Sequence, residues 1–162
     1  MAFAANAVAA DTVAATGDKV PDFKLSTFDG DEVTPATLAG KRSLICFFPF
    51  AFSGVCTDQF SVLQNNIAAF KERGVELYAI SVDSIHAQNA FKKSLGVEDI
   101  SFCADFEPKG AVARAFGTYR AGGFNDRSLF EVKPDGTIGW MIKMPTPGEY
   151  PDIETVLAGL DG

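Results

Sequence analysis

The run SLICFFPF, residues 43–50, is apolar at every position after Ser43. A strand that faces water on one side alternates polar and apolar residues. One without alternation is covered on both faces, as in a sheet with helices above and below. Two further runs read as buried strands, VELYAISVD (75–83) and ISFCAD (100–105). Between them the period changes. Phe60, Leu63, Ile67 and Phe70 recur at helical spacing from Ser53 to about Arg73, and Gly74 is the stop. A second helix is expected near 85–95 around Ala90, Phe91 and Leu95, and a third opens at Pro108 and closes at Gly117.

The flanks complete the order. KVPDFKLSTFDGDEV reads as a short edge hairpin with Asp29-Gly30 as its turn. RSLFEV and TIGWMIKM read as a hairpin joined around Pro134, Asp135 and Gly136, and a last helix runs from Pro151 to about Leu160. The sequence of elements is β-α-β-α-β-α-β-β-α, with crossover helices first and an antiparallel hairpin last. This predicts an α/β fold, a mixed central sheet flanked by helices in the thioredoxin-like arrangement, with an N-terminal hairpin extension. A length of 162 residues suits one domain. That domain is expected over 18–162, after an Ala-rich, poorly ordered or loosely docked extension over 1–17.

The net charge of −7 argues against nucleic acid and anionic membrane as partners, since both call for a basic surface. No run approaches the ~18 apolar residues of a membrane span. The first basic residue is Lys19, so neither a secretory signal nor a mitochondrial presequence is expected. Three cysteines, Cys46, Cys56 and Cys103, leave one unpaired in any disulfide scheme, and none lies in a C-x-x-C pair. With His86 as the only histidine, no zinc site of the usual spacing can be assembled, and no cofactor or metal is expected. The carboxylate-rich segment 29–33 lacks EF-hand spacing and reads as a turn. Free thiols persist in a reducing compartment, which makes the expected location cytoplasmic.

Cys56 falls at the C-terminal edge of the first central strand, in the first turn of the helix that follows. Ligand sites of open α/β sheets gather on that edge. Free N–H groups and the positive end of the helix dipole stabilise a thiolate there. Gly54 lets the backbone approach closely, and Pro49 turns the chain without needing a donor. Ser53, three residues before the cysteine, can set a hydroxyl beside the sulfur or cap the helix, or both. Read singly, each has an ordinary explanation: a core thiol, a helix cap, a strand terminator. Together, at spacings of four and three on one strand-to-helix turn, they suggest a reactive thiol.

PFAFSGVC resembles the peroxiredoxin active-site pattern P-x-x-x-[T/S]-x-x-C through Pro49, Ser53 and Cys56. The likeness continues in GDKVPDFKLSTFDGDEV, LYAISVDS and FCADFEPKGAVARAFG, and in DRSLFEVKPDGTI, which resembles the stretch carrying the family's active-site arginine, here Arg127. The tail KMPTPGEYPDIETVLAGL looks most like the one-Cys, alkyl hydroperoxide reductase E type. The resemblance implies a thiol-dependent peroxidase acting on hydrogen peroxide and organic hydroperoxides. Cys56 would be the nucleophile that becomes a sulfenic acid. Arg127 would stabilise the thiolate, although an arginine in such a hairpin could equally serve a surface ion pair. The Ser53 hydroxyl and the N–H groups of Val55 and Cys56 would bind the peroxide, with Gly54 allowing the approach, and Pro49 would shield the sulfur. A homodimer or higher homo-oligomer is also implied. Two departures stand out. Serine replaces the commoner threonine at position 53, and Gln59 stands where many relatives carry a glutamate.

A sulfenic acid has to be recycled. Cys46 lies about three residues below the end of its strand, on the order of 10 Å at roughly 3.3 Å per residue. A disulfide needs Cα atoms within about 7 Å, so Cys46 could pair with Cys56 only if the first helical turn unwound. Cys103 sits inside the third strand. Both read better as core than as resolving thiols, which favours an external reductant: thioredoxin, glutaredoxin or a low-molecular-weight thiol. Two other readings compete: a Cys56/His86 hydrolase, and a thioredoxin-like chaperone or binding module whose thiol is incidental.

Overall fold

A computed structural model describes residues 12–162. Most of the expected extension, residues 1–11, lies outside them. Residues 12–17 lie against the domain. Ala14 donates its N–H to the Phe116 carbonyl and Gly17 to that of Ile138, while Val13 and Ala14 join the core. Gly117, at φ 71°, permits this approach, because a Cβ there would overlap the Thr12 and Val13 backbone.

The elements run β1 (Leu25–Ser26), β2 (Glu32–Val33), α1 (Pro35–Leu38), β3 (Arg42–Phe47), α2 (Gly54–Asn65), α3 (Ile67–Glu72), β4 (Val75–Ser81), α4 (Ile85–Leu95), β5 (Ile100–Ala104), α5 (Ala111–Ala115), β6 (Tyr119–Arg120), β7 (Phe124–Asn125), β8 (Ser128–Val132), β9 (Ile138–Lys143) and α6 (Ile153–Asp161). Seven strands form one sheet in the order β2-β1-β5-β4-β3-β8-β9, and β6 pairs with β7 apart from it. β3, β4 and β5 are parallel, whereas β8 runs antiparallel to β3, and β9 antiparallel to β8. The predicted mixed sheet is therefore present, with the N-terminal hairpin at one edge through β1 and β5.

β3 sits between β4 and β8, and its side chains alternate between two apolar layers. Leu44, Cys46 and Phe48 pack with Phe60 and Leu63 of α2, Phe70 of α3, Phe91 of α4, and Val156 and Leu160 of α6. Ile45 and Phe47 point the other way, toward Phe116, Phe130 and the α5 side. Continuous hydrophobicity in β3 thus has the physical cause assumed for it: both faces are covered.

Three boundaries depart from expectation. The helix expected over 53–73 is two helices, broken at Asn66. There the backbone sits at φ −109°, ψ 17°, and the side-chain amide donates to the Val62 carbonyl at 2.8 Å, competing with the helical ladder. The break was masked because Phe60, Leu63 and Phe70 still reach one core. α5 begins at Ala111 rather than at Pro108, because the Asp105 carboxylate accepts the N–H groups of Val112 and Ala113. α6 begins two residues after Pro151, where Asp152 caps it by accepting the Thr155 N–H at 2.7 Å. Short α1 and the β6–β7 ribbon were not foreseen.

Candidate active site

Beyond Phe47 the chain leaves the sheet and enters α2 through Pro49–Ser53. Ser53 is the N-cap: extended at φ −69°, ψ 145°, it accepts the Cys56 N–H on Oγ at 3.4 Å. Its carbonyl receives the Thr57 N–H and the Thr57 hydroxyl, each at 3.0 Å. Of the two roles open to Ser53 in the sequence, the helix cap is the one this hydrogen bond makes. The cap is made, and the hydroxyl lies beside the cysteine backbone. Gly54 and Val55 form the first turn, where a helix leaves N–H groups without intrahelical partners. The Cys56 N–H is already given to Ser53, so a bound oxygen would have to share it.

Cys56 is 0% exposed and packs in the layer of Phe48 and Phe60. Those rings stack edge to face with centroids 4.8 Å apart, and Phe91 and Phe102 complete the aromatic floor. Pro49 is buried too, whereas Phe52 is 58% exposed and touches the edge of that floor through Phe91.

Arg127, just before β8, is 1% exposed and reaches the sulfur with both terminal nitrogens. Nη1 donates to Cys56 Sγ at 3.3 Å and Nη2 at 3.2 Å. Nη1 also donates to Gln59 Oε1 at 2.7 Å, and Nη2 and Nε donate to the Pro147 carbonyl at 2.8 and 3.2 Å. The rigid fork is thus held from two sides and aimed at sulfur from a third. The surface-ion-pair alternative for Arg127 has no footing in this geometry. Gln59, seen in the sequence as a departure, is one of the two braces. Pro147 was not foreseen. A backbone carbonyl carries no residue-type signal, and its placement depends on the turn after β9, where Met144 N–H donates to the Arg127 carbonyl at 2.9 Å.

The other two thiols lie elsewhere. Cys46 is buried within β3, and burial pushes its thiol up to about 12. Cys103, in β5, faces the opposite layer of the sheet from Cys56, and burial likewise raises its thiol to about 12. All three cysteines are free. His86 is exposed at the start of α4 and packs edge-on against Phe28 with centroids 5.9 Å apart. The structure brings Arg127, not His86, to the sulfur. Among the described residues, no helix is long and apolar enough to cross a membrane.

The AhpC/TSA family profile matches residues 16–141. Alkyl hydroperoxide reductase C of Amphibacillus xylanus is 34% identical over 147 residues, covering 87% of this chain and 78% of that protein. Alkyl hydroperoxide reductase E of Mycobacterium tuberculosis is 31% identical over 138 residues, covering 84% of this chain and 89% of that protein. The crystal structure of Enterococcus faecalis AhpC superposes with a TM-score of 0.83 at 26% identity, covering 93% of this chain and 92% of that one.

Proposed function

Since the chain belongs to the AhpC/TSA family of peroxiredoxins, we propose that it is a thiol-dependent peroxidase whose nucleophile is Cys56. The observation that carries the reading is the double hydrogen bond from Arg127 to Cys56 Sγ, made where neither residue meets solvent. The thiolate is the nucleophilic form of a cysteine, and both guanidinium donors face this sulfur. The anion attacks the terminal oxygen of a hydroperoxide, a sulfur–oxygen bond forms, and the O–O bond breaks. The sulfur is oxidised to a sulfenic acid, keeping the hydroperoxide's proton on its oxygen, and the departing oxygen leaves as hydroxide or alkoxide and takes a proton from solvent. Arg127 faces the charge as it moves from sulfur to oxygen. The Ser53 hydroxyl and the first-turn N–H groups of Val55 and Cys56 supply the remaining donors, and Gly54 leaves room for the approach. Pro49 roofs the sulfur.

Two equivalents of an external thiol restore the enzyme. The first forms a mixed disulfide with Cys56 and releases water; the second attacks that disulfide, frees the Cys56 thiol, and leaves bonded to the first as the oxidised reductant. Thioredoxin, glutaredoxin and a low-molecular-weight thiol all have the required chemistry. The burial of Cys46 and the placement of Cys103 beyond the sheet support recycling without either. Residues 18–162 serve as the catalytic domain and 1–17 as an extension to it. A cytoplasmic location fits three unpaired cysteines, and the family resemblance supports a homodimer or larger homo-oligomer.

The test is intact-mass analysis after one equivalent of peroxide with a sulfenic-acid trap present. One trap adduct, mapped to Cys56 and missing from Cys56→Ser, is the expected result. A loss of two hydrogens with no adduct would instead show an internal disulfide. Peroxide turnover in Cys56→Ser would end the proposal.

A further inference from the structure

The loop between β3 and α2 is held by a chain of hydrogen bonds that begins on α4, buried at Gln88 and half-buried where it reaches Asp83. Gln88 donates Nε2 to Ser81 Oγ and to the Cys103 carbonyl, each at 2.8 Å. The Ser81 oxygen also receives the Asp83 N–H at 3.4 Å. With its acceptor side occupied, the single Ser81 proton is left for Asp83 Oδ2, 2.7 Å away. The same Oδ2 accepts the Ala51 N–H at 2.8 Å. Donor direction is therefore set along the whole chain, and the Asp83 carboxylate is where it meets the loop.

That loop has a reason to need an anchor. Ser53 N–H closes a turn by donating to the Phe50 carbonyl at 3.4 Å, and Phe52, the third residue of the turn, sits at φ 68°. Such a position calls for glycine or asparagine; a phenylalanine there is strained. Burial does not account for the strain, because more than half of the Phe52 side chain is in solvent. Strained backbone persists where its surroundings over-determine it, and such residues gather at functional sites. Here the constraint is the Asp83 grip on the amide directly before Phe52. The turn it holds delivers Ser53 to the N-cap, and with it the first-turn N–H groups beside Cys56.

We propose that Asp83 is a positioning residue for the reaction at Cys56. Through Ala51 it fixes the shape of the 49–53 loop that peroxide, but not a generic electrophile, has to fit. The assignment rests on Cys56 being the peroxide-reactive sulfur. It predicts a selective loss. In Asp83→Ala the second-order rate constant of the reduced protein with hydrogen peroxide falls about 10- to 100-fold, the scale of a misplacement near 1 Å. Alkylation of Cys56 by iodoacetamide, which needs the anion but not the oxygen-binding geometry, falls far less. Asp83→Asn, whose side-chain oxygen can take the same two donors, restores most of the peroxide rate. Leu38→Ala, a core truncation on the other layer of the sheet, lowers stability and leaves the peroxide rate in place.

Ser81→Ala gives a second route should Asp83→Ala not fold. It removes the donor that orients the carboxylate, and a several-fold loss toward peroxide alone is expected. A wild type no faster than a free thiol would remove the reaction and the assignment with it. A fast wild type with an equally fast Asp83→Ala would overturn the assignment alone. So would an equal loss toward peroxide and iodoacetamide that Asp83→Asn fails to rescue, since that is the mark of a loosened fold.

Discussion

Arg127 and Cys56 face each other with both terminal guanidinium nitrogens on the sulfur, at 3.3 and 3.2 Å, and none of the arginine's hydrogen-bond partners is a carboxylate. A buried cation is costly unless its donors are met, and here the Cys56 sulfur, the Gln59 amide oxygen and the Pro147 carbonyl take them.

Cys56→Ser keeps an acceptor before Arg127 but removes the proposed nucleophile. We expect no peroxide consumption and a loss of about 2 kcal/mol in urea unfolding. Arg127→Lys keeps the charge and loses the fork. It is expected to stay folded while the rate with peroxide drops about 10²-fold, read by stopped-flow mixing with reduced enzyme.

Gln59 supplies the side-chain brace for Arg127 at 2.7 Å. Gln59→Leu leaves a buried guanidinium N–H without its acceptor, at a cost of about 1–3 kcal/mol. The remaining Pro147 carbonyl binds the other edge of the fork, so the arginine should turn toward it. The expected signature is a rate constant with peroxide about tenfold lower, the equivalent of roughly 1.4 kcal/mol in the barrier. An unchanged rate would show that Pro147 alone orients the group.

Cys46 and Cys103 set a prediction at high pH. Their thiols are pushed from 9.0 up to about 12 by burial. Above pH 9 the unfolded chain releases these protons and the native state keeps them, so the unfolded state gains. Stability should be intact below pH 9 and decline steadily toward pH 12. Replacing both residues with alanine should flatten that decline in denaturant titrations at pH 8, 10 and 11. The single Cys46→Ser and Cys103→Ser variants are expected to keep peroxide turnover.

Gly159 sets intrinsic preference against packing. Alanine in a helix is favoured over glycine by up to about 1 kcal/mol, yet a Cβ at 159 would overlap the Trp140 ring. Overpacking of that kind costs about 1–3 kcal/mol, so packing wins. Gly159→Ala should lower the melting temperature and shift the fluorescence of Trp140, the only tryptophan.

Pro49, Ser53 and Cys56 were legible together because eight consecutive residues carry them, and local spacing survives folding unchanged. Arg127 was reached only through resemblance. It lies 71 positions from Cys56, and no periodicity links a residue before β8 to the start of α2. The Pro147 carbonyl was invisible for a different reason, since every residue offers the same backbone oxygen and only tertiary placement selects one. β3 was readable because burial on both faces leaves a compositional mark, whereas the break at Asn66 leaves none when both helices serve the same core. Asp83 and Ser81 stand in SVDS, which reads only as a strand ending, and the proposed role of each depends on a hydroxyl proton whose direction only the folded neighbours determine.

In the proposed cycle, the complete burial of Cys56 separates two kinds of traffic. A peroxide is a few atoms across and can enter between side chains that hardly move. A protein reductant must bring its own sulfur into contact with one that has no surface at all. The proposed oxidation therefore asks only for side-chain motion, whereas recycling by a protein thiol would require the loop and the first turn of α2 to open. An enzyme built this way answers a burst of oxidant at once and resets at a pace fixed by its own fold, so that between bursts the population of oxidised sulfur keeps a short record of what has passed.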